Sequence, residues 1–273
     1  MATSKRFSLK RFRRIAAPVP LGSLTFRCNV CGERCVALMS QIDREVPSCS
    51  QCGSTVRFRS IVHALSTELF GQSLALPDFP ERRDLKGVGM SDWEGYARPL
   101  SVKFDYHNTY YHQEPRLDIV AIDPSLEGRF DFAVSSEVFE HVPPPVRRAF
   151  DNVFRLLKPG GVVVFSVPYA PTGSTIEHYP DLHEYQLITT DGGRALRNTT
   201  LTGETQLFTN LVFHGGEGST LEMRVFSEPS LVEEFRHAGF CDPVIHSTPC
   251  FEHGVYAPDD WSLTMSARKP AAT

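Results

Sequence analysis

Two short cysteine pairs constrain this chain more than any other feature. Cys28-Asn-Val-Cys31 is followed by Gly32, and after 17 intervening residues Cys49-Ser-Gln-Cys52 is followed by Gly53. A Cys-x2-Cys turn offers two thiolates along one edge of a tetrahedron, and a second such turn supplies the opposite edge. The glycine after each pair sits where the turn needs positive φ. A segment this short holds few large apolar residues and would hardly fold without a metal. The spacing predicts one structural zinc on Cys28, Cys31, Cys49 and Cys52, with no coordination position left open for water. Cys35 falls between the pairs and stands as an alternative ligand. Cys241 and Cys250 read as buried or bystander thiols.

The 273 residues suffice for one α/β domain with a smaller attachment. No apolar run reaches the length of a membrane span, and no apolar segment follows the N-terminal charges, so the expected compartment is the cytoplasm. Charge is unevenly spread. Residues 1–60 hold 11 Lys/Arg against 3 Asp/Glu, leaving 17 against 29 for the rest. That basic front end is either a nucleic-acid contact or a solvated tail (Lys5, Arg6, Lys10, Arg11, Arg13, Arg14). No interleaved aromatics of an RNA-stacking platform accompany a folded basic face, which favours the tail. Phe7, Leu9, Phe12 and Ile15 also have the spacing of a short amphipathic helix.

Three regions follow: a basic tail over 1–22, a zinc module with a connecting helix over 23–70, and a main domain over 71–273. In the helix, Ile61, Val62, Leu65, Leu69 and Phe70 share a face between Val56 and Phe70. From Pro80 onward strand and helix signals alternate, as a parallel sheet with covering helices requires. Strands are predicted at Asp84–Gly89, Phe130–Ser135 and Val162–Val167, with an edge or loop at Leu117–Ile122. Ser91-Asp-Trp-Glu94 has capping-box spacing and should open a helix. Further helices are predicted at Pro145–Leu157 and Glu228–Ala238, and closing strands at Pro243–His246 and Trp261–Ala267. Residues 169–227 break the rhythm and are too many for a bare loop, so they predict a mixed insertion with extra antiparallel strands, such as Leu207–Phe213.

Gly87-Val-Gly89 ends the first strand of the main domain. A dinucleotide fingerprint wants a third glycine at position 92. Asp92 stands there, and its carboxylate would repel a pyrophosphate while tolerating a ligand with a sulfonium and an ammonium group.

From 118 onward the chain resembles the class I S-adenosylmethionine-dependent methyltransferases. Asp118-Ile119, Phe130-Asp-Phe-Ala-Val-Ser-Ser-Glu137, Glu140-His141-Val142 and Leu157-Lys-Pro-Gly-Gly161 follow in that family's order. With the glycines at 87 and 89 and Ala238-Gly239-Phe240, the likeness covers about 84–168 and 228–268. The cysteine pairs followed by Arg57-Phe58-Arg59 and a helix look like a bacterial group of such enzymes with an N-terminal zinc ribbon. The resemblance implies a Rossmann-like, doubly wound, mostly parallel sheet with the mixed insertion after its fifth strand. It implies S-adenosylmethionine bound by Gly87 and Gly89, by Asp118 and Ile119 at the adenine, and by Glu137. For the ribose, Asp105 and Asn108 compete.

Methyl transfer asks mostly for in-line positioning, because the sulfonium is already activated. A hydroxyl or amine acceptor must lose a proton, and a histidine in its ordinary titration range suits that work. Candidates are His178 and His183 in the insertion, ahead of His141. The alternative for the stretch Glu177–Tyr185 is a surface hydrogen-bond network. The expected activity is methyl transfer to a small-molecule or saccharide acceptor. An RNA-base methyltransferase and an inactive zinc-dependent interaction protein are the rival expectations. Oligomeric state is not legible.

Overall fold

The computed structural model describes residues 22–214, 220–258 and 261–272. The expected basic tail and its amphipathic stretch, through residue 21, lie outside the described residues. The cysteine module opens with a hairpin, β1 (Ser23–Arg27) against β2 (Arg34–Leu38). Helix α1 (Val56–Phe70) leaves it and ends where Gly71, at φ 71°, donates its N–H to Thr67. Only a residue tolerant of the left-handed region closes a helix that way without strain.

The main sheet contains β3 (Arg82–Met90), β4 (Phe104–Thr109), β5 (Phe130–Ser136), β6 (Leu157–Ser166), and two closing strands named below. β4, β3, β5 and β6 are parallel. Helix α2 (Glu94–Lys103) joins β3 to β4, and α3 (Arg147–Leu156) joins β5 to β6. The insertion carries β7 (Tyr169–Ala170), β8 (Ile176–Glu177), β9 (Glu184–Thr190), β10 (Gly193–Thr199), β11 (Thr205–Phe208), β12 (Phe213–His214), β13 (Thr220–Leu221) and β14 (Arg224–Ser227). Then come α4 (Glu228–Ala238), β15 (Val244–Ile245) and β16 (Met265–Arg268). β16 runs antiparallel to β6, and β15 antiparallel to β16, completing the order β15-β16-β6-β5-β3-β4.

The sheet is covered on both faces, as a mostly parallel sheet must be. On one side Ala149, Phe150, Val153, Leu231 and Phe235 from α3 and α4 meet Val88, Ala133, Val163 and Phe165. On the other, α2 shares the cover with α1, whose Ile61, Val62 and Leu65 join Phe132, Val134, Val162 and Val164. Burying each of these valine, leucine, isoleucine and phenylalanine side chains contributes about 1.5–3 kcal/mol. The helix that follows the cysteines is thus a layer of the main α/β core.

Local corrections have local causes. The expected capping box does not form: Trp93 is the N-cap of α2 and makes no side-chain cap bond. Ser91 instead turns the chain at φ 56°, while Glu94 faces β4. Lys158-Pro-Gly-Gly161, between the helix predicted to Leu157 and the strand predicted from Val162, lies within β6, where the register against β5 shifts. Residues 117–122 form no strand, so the insertion follows the fourth strand of the main sheet in chain order. Within it β9, β10 and β11 form an antiparallel sheet, β14 pairs with both β7 and β8, and β12 pairs with β13. Tyr179, Leu182, Leu196, Leu221 and Met223 give the insertion its own small core.

Candidate active site and metal centre

Both cysteine turns fold as their glycines require. Gly32 at φ 84° donates its N–H to the Cys28 carbonyl, and Gly53 at φ 72° does the same to Cys49. The Sγ atoms of Cys28, Cys31, Cys49 and Cys52 lie within 4.8 Å of one another. Cys28 and Cys52 are 3.8 Å apart, and Cys31 and Cys49 are 3.7 Å apart. A tetrahedral ion with metal–sulfur bonds of about 2.3 Å has edges of about 3.8 Å, so the donor set fits such an ion. The hydrogen-bonded Cys52 thiol holds the Cys28 pKa down to about 4. Cys35 Sγ sits 3.3 Å from Cys49 but outside the four-sulfur group.

A buried cation accompanies these sulfurs. Arg59 is 0% exposed and lies over the Phe26 ring. Its guanidinium donates to the carbonyls of Ser54 and Gly254 and to the hydroxyls of Ser48 and Ser54. No carboxylate of the described residues receives a hydrogen bond from it. Burial pulls its pKa down, and the charges of Cys28, Cys49, Cys52 and Cys35 oppose that. Two further module arginines are shielded, Arg44 pairing with Glu137 and Arg57 with Glu45, while the more exposed Arg27 pairs with Asp78 and Arg34 is exposed.

The strand order locates the second site. From β3 the chain steps to β4 on one side, then returns across β3 to β5 on the other. Ligands of open α/β sheets sit outside the carboxyl ends of the strands at such a reversal. Here those ends are Met90-Ser91-Asp92 and Ser135-Ser136-Glu137.

Gly87 and Gly89 are committed to packing beneath that crevice. A Cβ on Gly87 would fall less than 3.0 Å from the Phe132 ring, and one on Gly89 would meet Tyr106 and Asp92 as closely. The stacked rings of Tyr106 and Phe132 flank Gly87 from the two neighbouring strands. Asp92 turns inward, contrary to its expected place against a ligand. Its carboxylate accepts from the hydroxyls of Tyr96 and Tyr106, and burial pushes its pKa up to about 7.

Of the two ribose candidates, Asp105 lies near the start of β4, half-buried and paired with Lys86 and His107. Asn108 lies at the strand's C-terminal end. Its Oδ1 accepts from the Asp92 N–H at 2.9 Å, and its Nδ2 donates to the Asp92 carbonyl and to Glu94. Asp118 accepts the Val120 N–H at 3.1 Å, and Ile119 is buried with its carbonyl held by Asn152. Glu137 adopts φ 57° and accepts from both Arg44 and Ser166.

The histidines separate. His178 Nε2 lies 3.0 Å from Glu222 Oε1, both largely buried. His141 Nδ1 is spent on the Leu221 carbonyl at 2.8 Å. His183 is exposed, and its hydrogen bond to Asn198 comes from the backbone N–H. The structure does not group the three. Glu140, next to His141 in the chain, is 0% exposed, and burial holds its pKa well above the carboxylate range, with the charges of Glu137 and Glu222 adding to it. Glu222, Glu94 and Arg44 escaped sequence reasoning. Only Arg57-Phe58-Arg59, beside the second cysteine pair, carried a signal.

A methyltransferase-domain family model matches residues 80–242, more than half of the chain, and the chain belongs to that family. It is a methyltransferase whose sheet has the Rossmann-like arrangement. No curated protein sequence matches it. Among solved structures it is similar to the Burkholderia thailandensis 1,6-didemethyltoxoflavin-N1-methyltransferase, with 18% identity over 77% of this chain and 78% of that one and a TM-score of 0.44. An S-adenosylmethionine-dependent methyltransferase from Mesorhizobium loti shows 17% identity over 71% and 96%, with a TM-score of 0.42. The CurJ carbon methyltransferase shows 15% over 80% and 56%, with a TM-score of 0.46.

Proposed function

We propose that this methyltransferase takes S-adenosylmethionine as donor, methylates a small-molecule or saccharide acceptor, and carries one structural zinc on Cys28, Cys31, Cys49 and Cys52. The observation that carries the reading is the reversal of strand order between β3 and β5, which opens a crevice at the ends of those strands. The cofactor supplies an activated methyl group. Around it, Asn108 at the end of β4 and Glu94 at the start of α2 offer the polar atoms for ribose hydroxyls, and Asp118 with Ile119 is the adenine edge. The Ser135 hydroxyl is fully buried at the end of β5 and has no hydrogen-bond partner among the described residues, which suits a bound ligand. Gly87 and Gly89 act from below by letting Phe132, Tyr106 and Asp92 close up.

For the acceptor, His178 is the base we favour over His183 and His141. Glu222 accepts its Nε2–H, which fixes the tautomer and leaves Nδ1 with a lone pair to take a proton. A nucleic-acid acceptor is disfavoured because Arg27, Arg44, Arg57 and Arg59 of the cysteine module are spent on internal partners.

Titration calorimetry with S-adenosylhomocysteine tests the first half: the zinc-loaded chain should bind it, and no binding at millimolar ligand would sink the reading. A panel of amines, phenols and sugars tests the second. With any accepted substrate, His178→Ala and Glu222→Gln should lower transfer by about 10²–10⁴-fold and about 10-fold or more, respectively, at unchanged cofactor affinity. His183→Ala should stay within a few-fold; a larger loss there than in His178→Ala reverses the assignment.

A further inference from the structure

We propose that Arg44 and Arg57 are positioning residues through which the cysteine module holds the end of β5 in its cofactor-binding shape. The inference rests on the cofactor reading above, and it makes the module part of the catalytic domain's pocket.

Four observations converge on one spot. The first is backbone conformation. Glu137, the residue directly after β5, has φ 57°, in a left-handed region that side chains other than glycine rarely adopt. Its N–H donates to the Ser166 carbonyl at 2.9 Å, so the turn is held from the β6 side as well.

The second is a closed set of polar contacts reaching from the module to that turn. Arg44 Nη2 donates to Glu137 Oε1 at 2.6 Å and Nη1 to Oε2 at 3.3 Å, with side-chain exposures of only 11% and 8%. A planar fork on both oxygens of a shielded carboxylate fixes direction as well as distance. Arg57 Nη1 donates to Ser136 Oγ at 2.8 Å, and Ser136 lies 3.1 Å from Ser166, whose hydroxyl donates to Glu137 Oε1. Both guanidiniums thus act on consecutive residues of the same strand end.

The third is how the two arginines are held. Arg44 precedes the second cysteine pair by five residues, and Arg57 follows it by five. The N–H groups of Val56 and Arg57 donate to the carbonyls of Asp43 and Arg44, and Glu45 bridges to the Arg57 guanidinium. The loop between the cysteine pairs and the first turn of α1 form one unit, closed by the four sulfurs. Arg44 Nε also donates to the Ser262 carbonyl, tying the approach to β16 into the same point.

The fourth is place. Ser136 and Glu137 border the crevice where the strand order reverses. A module that only hung on the domain would have no need of shielded charge pairs there.

The test uses the full zinc-loaded chain and S-adenosylhomocysteine. Arg44→Met, Glu137→Gln and the double variant are titrated, giving a dissociation constant and a binding stoichiometry, and zinc is counted in each. Arg44→Met should weaken binding about 10-fold with zinc content and stoichiometry unchanged. The double variant should bind about as weakly as Arg44→Met alone, because the two residues act as a unit. Arg44→Lys keeps the charge, loses the fork, and should fall between wild type and Arg44→Met; it decides the matter should Arg44→Met fail to fold. A merely structural role lowers stoichiometry or melting temperature at unchanged affinity, and that result overturns the proposal. So do losses that multiply in the double variant. A wild-type chain that does not bind the ligand overturns the cofactor reading together with this inference. A binding wild type with an equally tight Arg44→Met overturns the inference alone.

Discussion

Replacing Arg59 by methionine keeps most of the side-chain volume and removes one buried positive charge. Its Nε and Nη2 both donate to the Gly254 carbonyl, at 3.1 and 3.0 Å; Nη1 donates to the Ser54 carbonyl at 2.7 Å, and Nη2 also to Ser48 Oγ at 2.8 Å. In Arg59→Met the Gly254 carbonyl loses its donors inside the protein, while the Ser54 carbonyl keeps the N–H groups of Ser48 and Cys49. An orphaned buried acceptor costs about 1–3 kcal/mol. A zinc held by four thiolates carries a net double negative charge, and Arg59 is the buried cation nearest to balancing it. Removing one partner of a buried charge pair costs about 3–5 kcal/mol. Because the same hydrogen bonds enter both figures they are not summed, and about 3–5 kcal/mol is the expected loss. In a chain of this size each kcal/mol moves the melting temperature by about 2–4 °C, so Arg59→Met should melt about 6–20 °C lower. Zinc affinity should fall with it, because metal binding and folding of such a module are linked. Scanning calorimetry gives the melting shift and competition with a chromogenic chelator the affinity. A variant melting within about 2 °C of wild type, with unchanged zinc affinity, refutes the charge-balance argument.

Two further outcomes follow from the same geometry. Cys49→Ser should lose the zinc while Cys35→Ser keeps a full equivalent, by elemental analysis; retention in the first or loss in the second displaces the four-ligand assignment. Asp92 has a folded pKa of about 7, above the ordinary carboxylate value of about 3.9. The folded state therefore binds its proton more tightly than the unfolded chain, and the associated stability is present in acid and is lost as pH rises from about 4 through about 7. Asp92→Asn lacks that loss, so its melting temperature relative to wild type should climb between pH 5 and pH 8; parallel curves for the two would contradict the assignment.

Periodic elements were legible in the sequence because their signals are local. Helix α1 runs from Val56 to Phe70, as its apolar spacing predicts, helix α4 runs from Glu228 to Ala238 and stops at Gly239 as expected, and the glycines after each cysteine pair take positive φ. Ser227 caps α4 through the Ser230 N–H, a signal contained within four residues. What stayed illegible depends on partners far along the chain. Ser91 and Glu94 have the spacing of a capping box, but Asn108, 14 residues beyond Glu94, takes both the turn's backbone and the Glu94 carboxylate. Asp92 reads as a ligand-facing acid until Tyr106 folds over it from the next strand. Glu222 meets His178 across 44 residues of insertion, and no period or motif connects them. The glycines at 87 and 89 read as the place where backbone approaches a cofactor. The occupant of the space is the protein's own Phe132, Tyr106 and Asp92, which only the sheet register reveals.

Charge shows the same limit and bears directly on what the enzyme acts upon. Counted along the chain, the first 60 residues carry a strong positive excess, and a linear count treats each arginine as surface. In the folded module Arg59 is wholly buried, Arg44 and Arg57 have side-chain exposures of 11% and 15%, and the more exposed Arg27 is paired with Asp78. Their charges are matched by Glu45, Glu137 and Asp78 and, in the zinc-bound reading, by the thiolates. Of the arginines between 22 and 60, Arg34 is the one with its side chain given no hydrogen bond or ion pair in the described residues. A surface that grips phosphates needs cations free to release counterions, several of them on one face. Within the described part of the cysteine module, Arg34 is thus the arginine left for such a contact, and a single cation does not make a phosphate-gripping face. Arg44 and Arg57 reach Glu137 and Ser136 at the end of β5, where the proposed reading puts the methyl donor, and a small acceptor in that crevice would need no basic platform.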